Sequence, residues 1–117
     1  MTQKNKELLL KDLSARLPYN LLVENKFGSC IEFTFIELML FIRDNQIVKP
    51  YLRPMSSMTE NETKEFDVIC DNLLANGSSE EIWNTVIDWL NSHHFDHRHL
   101  IEKGLALEAF EGMYKAE

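Results

Sequence analysis

The chain has 117 residues, 44% hydrophobic and 26% charged, which fits one globular domain spanning 1–117 and excludes a disordered or fibrous chain. Twelve Lys and Arg stand against nineteen Asp and Glu, a net charge of −7. Nucleic acid is bound largely by neutralising phosphates with basic groups, so an acidic chain without a basic run argues against that partner.

The N-terminus, MTQKNKELLLKD, has too short an apolar run for a signal peptide. The longest apolar segment, 33–42, is interrupted by Glu37 and is too short to span a bilayer. Two cysteines, Cys30 and Cys70, lie forty residues apart with no CxxC pair, so zinc ribbons and thioredoxin-like chemistry are excluded. The expectation is a cytoplasmic protein with reduced thiols, both packed as small core residues.

In chain order, residues 5–17 read as a first helix: Leu9 and Leu13, spaced by four, and Leu10, Leu13 and Leu17, spaced by three and four, form one stripe, with Lys6, Lys11, Asp12 and Arg16 mostly off it. Pro18 ends it. Residues 19–24 alternate as a strand, and Asn25 to Gly28 make a turn. A second strand comes next, over 30–35. The alternation then changes phase over 36–42, which predicts a further strand after a bulge. A helix over 31–42 competes, because positions 31, 35, 38 and 42 share a helical face. Residues 43–46 form a polar turn, and 47–52 an extended edge or irregular strand marked by Pro50.

The second half reads as helical. Thr59 and Glu62 fit a capping box, as do Ser78 and Glu81. Phe66, Ile69, Cys70, Leu73 and Leu74 mark the face of the first helix, which Asn76 and Gly77 stop. Its acidic run, Glu60, Glu62, Glu65, Asp67 and Asp71, reads most simply as a solvated face. The next helix carries Ile82, Trp83, Val86, Ile87, Trp89 and Leu90, a stripe broad enough to pack on two sides. It ends near His93 and His94. Asp96 is placed to cap a short helix through 103, and residues 111–117 are expected to fray. The fold class is therefore α+β: a small antiparallel sheet in the first half with an N-terminal helix, covered by a helical C-terminal half.

Three stretches, KELLLKDLSARLPY (6–19), IVKPYLRPMSSMT (47–59) and DWLNSHHFDHRHLIEKGLALEAFEGMYK (88–115), together resemble a family of uncharacterised small proteins from gut anaerobic bacteria, often in prophage-like or mobile regions. The resemblance covers about half the chain and implies no activity. The family pattern has Tyr at His97, Gly at His99 and Pro at Phe110.

Only one cluster suggests chemistry: His93, His94, Asp96, His97 and His99, residue types that ligate divalent metals. The competing reading is structural. His93 and His94 supply donors to the end of a helix whose dipole favours their charged forms, Asp96 caps the next turn, and His97 and His99 lie on the surface. No HExxH arrangement, Gly-rich phosphate loop or nucleophile motif appears. Binding candidates are Tyr51 and Arg53, held extended between prolines, and Trp83 and Trp89, whose 120° separation points them at different neighbours.

The favoured expectation is a non-catalytic protein-interaction module of a mobile element or its host, with no cofactor, an unknown protein partner or a second copy of itself, and no membrane. The alternatives are a metal-dependent hydrolase or nuclease-like enzyme using His93, His94, Asp96 and His97, and an acidic inhibitor that mimics nucleic acid.

Overall fold

The computed structural model describes residues 1–76 and 80–114. Helix α1 spans Gln3–Arg16 and opens on Thr2, whose hydroxyl accepts the Asn5 amide at 3.1 Å. Leu9 and Leu13 are buried as the stripe requires, but so are Asp12 and Arg16, which the stripe alone places mostly off it. They survive burial because they satisfy each other. Arg16 Nε donates to Asp12 Oδ2 at 2.8 Å, and Arg98 Nη1 donates to Asp12 Oδ1 at 2.8 Å. Arg16 Nη2 also donates to the Phe95 carbonyl at 2.7 Å, tying α1 to the C-terminal half. Pro18 converts the helix into a 3₁₀ turn, Leu17–Tyr19, which Asn20 leaves with φ +56°.

Strands β1 (Leu22–Glu24) and β2 (Cys30–Glu32) form an antiparallel hairpin. Its turn is held by Asn25, whose side-chain oxygen accepts the amides of Phe27 and Ser29, with Gly28 at φ +79°. Cys30 is exposed on this outer strand rather than buried in the core, and Cys70 is half-buried.

The strand expected over 36–42 is a helix. α2 runs Phe35–Asp44. Glu37 reaches back to the amide and hydroxyl of Thr34, at 3.3 and 2.9 Å, so a capping box starts the helix that a β-rich composition masks. Asn45, in the left-handed region, ends it.

β3 (Lys49–Leu52) pairs antiparallel with β1, and β4 (Leu107–Glu108) pairs parallel with β3. The order is β2-β1-β3-β4, so the sheet is mixed and β3 is interior, not an edge. Pro50 is tolerated because β4 pairs only with Tyr51 and Leu52, so at Pro50 the strand has β1 alone beside it and an unpaired side for the missing N–H.

The main core joins Leu9 and Leu13 of α1, Val23 and Leu52 of the sheet, Leu38 and Phe41 of α2, and Leu100 and Leu105 of the C-terminal segment. A second cluster, Val86, Leu90 and Phe95, gathers Phe66, Ile69 and Trp89 around it. It holds together α3 (Glu60–Asn76) and α4 (Glu80–Ser92). The capping box at Thr59 forms as expected: Glu62 N–H donates to Thr59 Oγ1, and Thr59 N–H to Glu62 Oε1. The stop at Gly77 and the box at Ser78 lie outside the described residues. Asp96 accepts the Leu100 and Ile101 amides at 2.8 and 3.0 Å, but the chain beyond it runs through turns rather than the short helix expected. His99 at φ +58° and Gly104 at φ +73° break any helical path there. Tyr114, expected to fray, is anchored instead. Its hydroxyl donates to the Tyr51 carbonyl at 2.7 Å and accepts the Leu22 amide at 2.9 Å.

Candidate functional site

Arg53 comes directly after β3 and bonds through its backbone to the junction after α4: its amide donates to the His94 carbonyl at 2.7 Å, and its carbonyl accepts the Asp96 amide at 2.9 Å. Its guanidinium lies 4.2 Å from the centre of the Phe95 ring and grips Glu62 with both ends, at 2.8 and 2.6 Å. That contact, with the Thr59 amide, holds the Glu62 carboxyl at about 2. Arg53 is thus an internal clamp between β3, α3 and the end of α4. Tyr51 is half-buried, edge-on to Phe110.

The histidines take separate partners. His93 stacks on Trp89 at 4.2 Å, with Nδ1 2.9 Å from the Trp89 carbonyl, the helix-end role expected of it. His94 is buried and stacks on Tyr114 at 3.7 Å. Burial, with Arg16 and Arg53 nearby, pushes its pKa down to about 4, so it is neutral and not the charged donor expected at a helix terminus. His97 is half-buried rather than on the surface. Its Nε2 meets Asn91 Oδ1 at 2.8 Å, and burial again lowers the pKa to about 4. His99 is exposed. Among the described residues no three His, Cys, Asp or Glu side chains are grouped to hold a metal ion. His93, His94, Asp96 and His97, adjacent in sequence, are separated by the turn that begins with His94 at φ +64°.

A polar cleft of about 880 Å³ is lined by Tyr19, Glu32, Glu62, Glu65, His94 and Tyr114 among others. Among its acid–base groups, Glu62 is held by Arg53 and Glu65 by the Trp89 indole N–H at 3.3 Å, while His94 stacks on the Tyr114 ring with its buried Nδ1 lacking a hydrogen-bond partner. Ser92 Oγ lies 2.8 Å from the Trp89 carbonyl and 3.1 Å from His93 Nδ1, which meets the same carbonyl, so the three groups close the end of α4 together.

The charge distribution is more informative than the cleft. Residues 60–92 contain eight carboxylates and one lysine, the whole net charge of −7; the rest of the chain has eleven of each sign. Glu62 is buried on Arg53, while Glu60, Glu65, Asp67, Asp71, Glu80, Glu81 and Asp88 are all exposed. Apolar side chains stand among them. Val68 is 59% exposed, Leu74 82% and Trp83 49%. Trp83 lies about one turn before Val86 on the helix face that Val86 and Leu90 bury. Trp89, by contrast, is packed between Phe66, His93 and Phe95. Of the four binding candidates from the sequence, only Trp83 is therefore presented to solvent. The sequence signal for this surface is charge counted by segment, because the acidic run at 60–71 is only its first part.

Among the described residues no helix is long and apolar enough to cross a membrane. No protein-family model, curated protein or solved structure matches the chain.

Proposed function

We propose that the chain is a cytoplasmic, non-catalytic protein-interaction module, of the mobile-element accessory kind its sequence resembles, and that it docks a basic protein surface on the α3–α4 pair. The observation that carries this reading is the confinement of the net charge of −7 to residues 60–92, with Trp83 and Leu74 exposed among the carboxylates. A field of one sign steers an oppositely charged partner and selects against others. A half-exposed Trp is the side chain best suited to anchor the contact once water is excluded around it. The histidine segment and the cleft offer no comparable argument for chemistry, since Glu62, Glu65, His93 and His97 are each hydrogen-bonded to a structural partner and His94 is packed against the Tyr114 ring.

The test is affinity capture from the native host, comparing the wild type with Trp83→Ala and with a variant in which Asp67, Asp71, Glu80 and Glu81 become their amides. The expected result is a partner of net positive charge, retained at low salt, lost at high salt and lost by both variants. An acidic or neutral partner, or one captured equally by the variants, overturns the reading. The same charge confinement also supports the narrower case of a nucleic-acid mimic. There the captured partner would itself bind DNA or RNA, and added nucleic acid would displace it.

A further inference from the structure

A helix that lies on a core with its other side in water is normally polar on that outer side. α2 is not. Leu38 and Phe41 face the core, while Phe35, Ile36, Met39 and Ile42 are 63%, 66%, 44% and 61% exposed. Positions 35, 39 and 42 share one stripe, with Ile36 beside it. The one carboxylate inside this span, Glu37, turns back to cap Thr34, and Arg43 and Asp44 at the far end hold each other at 3.1 and 3.2 Å. The face therefore offers a charged partner nothing to pair with; what fits it is a second uncharged apolar surface.

We infer that the outer face of α2 is the contact between two copies of this chain, packed as antiparallel helices about a two-fold axis near Met39. That operation brings Phe35 and Ile36 of one copy over Ile42 of the other and opposes the two helix dipoles favourably. The charge distribution permits it. α1 packs against both α2 and α4, and among the described residues α2 has no comparable packing against α3 or α4. Pairing through α2 joins the two charge-balanced bodies and leaves the acidic helix pairs apart, where repulsion is screened over roughly 8 Å. The four side chains expose roughly 400 Å² per copy, so a pair covers roughly 800 Å² before flanking atoms are counted, below the size of stable interfaces and in the range of weak, transient ones. The dimer is accordingly weak and concentration-dependent. It is independent of the acidic surface, so either reading can fail alone.

Sedimentation equilibrium of the purified chain, from micromolar to near-millimolar concentration, tests it. The wild type is expected to show a reversible monomer–dimer equilibrium, and Met39→Glu and Ile36→Glu to remain monomeric with unchanged far-UV circular dichroism. In a Cys30→Ser, Cys70→Ser background, Met39→Cys is expected to cross-link to its own copy on oxidation. A wild type that stays monomeric throughout overturns the inference. So does a dimer that persists in folded Met39→Glu, or one whose Met39→Cys form does not cross-link.

Discussion

Arg53 and Glu62 meet end to end, two guanidinium nitrogens on two carboxylate oxygens at 2.8 and 2.6 Å, and the same carboxylate accepts the Thr59 amide that opens α3. One side chain therefore serves as helix cap and as the α3 side of the clamp to β3. A cap alone contributes about 1 kcal/mol, whereas a desolvated, bidentate pair contributes more, and loses more when broken.

This pair makes stability depend on acid. Glu62 titrates at about 2 in the fold, against 4.5 when unperturbed. Its contribution, roughly 3 kcal/mol at about 1.4 kcal/mol per unit, is complete above pH 4.5 and disappears as the pH falls toward 2. Glu62→Gln should be less stable than the wild type by a few kcal/mol at neutral pH, and the gap should close over that acid window. Urea unfolding at a series of pH values checks it; a gap independent of pH would refute the role of the charge.

A separate window belongs to the histidines. His94 and His97 are both held near 4, mainly by burial, against 6.5 unperturbed. The unfolded chain takes up their protons first as the pH falls, so stability should be full above 6.5 and decline toward 4. Proton NMR of the imidazole C–H groups should show both rings still neutral at pH 5.5 in the folded chain, as burial requires. Either ring titrating near 6.5 would contradict its burial.

Much of the fold is legible in the sequence, and the misreadings have identifiable physical causes. The Thr59 box and the Asn25 turn are local, and each forms as spacing alone predicts, whereas Asp96 accepts the Leu100 and Ile101 amides within a run of turns and not at the start of the helix expected there. The helix at α2 is equally local: Thr34 and Glu37 spell a capping box, but Phe and Ile favour strands strongly enough to hide it. The burial of Asp12 and Arg16 is not local. Their i,i+4 spacing is that of an ordinary surface ion pair, and what draws them inside is Arg98 and the Phe95 carbonyl, about eighty residues away. For the same reason the histidines look like a cluster in sequence. The turn at His94, fixed by the backbone of Arg53 at the end of β3, sends their rings to different partners.

That buried ion pair gives a sharper test. Asp12 is fully buried and accepts from two arginines, while Arg16 is fully buried with Nη1 lacking a partner. Removing the carboxylate strands the Arg16 charge, so Asp12→Ala should cost about 3–5 kcal/mol. Arg98, 20% exposed at its side chain, can turn to water, and Arg98→Ala should cost clearly less. Chemical denaturation of both variants orders them; equal losses would mean that Asp12 is held chiefly through Arg98.

The two tryptophans should separate in the same kind of experiment. Trp89 lies between Phe66 at 5.5 Å, His93 at 4.2 Å and Phe95 at 5.9 Å, with its indole N–H on Glu65. Trp83, six residues earlier on the same helix, is 49% exposed. Trp89→Ala removes a large ring packed against the second core and should cost on the order of 3 kcal/mol. Trp83→Ala, whose ring is half in water, should stay within about 0.5 kcal/mol. In fluorescence, a polar quencher should reach the indole of the Trp89→Phe variant, where only Trp83 emits, and barely reach that of Trp83→Phe. Equal quenching in the two single-tryptophan proteins would place Trp89 in solvent and remove the core that holds α3 to α4. If the unequal result holds, loss of quenching at Trp83 alone on addition of a captured basic partner would mark that ring as the point of contact.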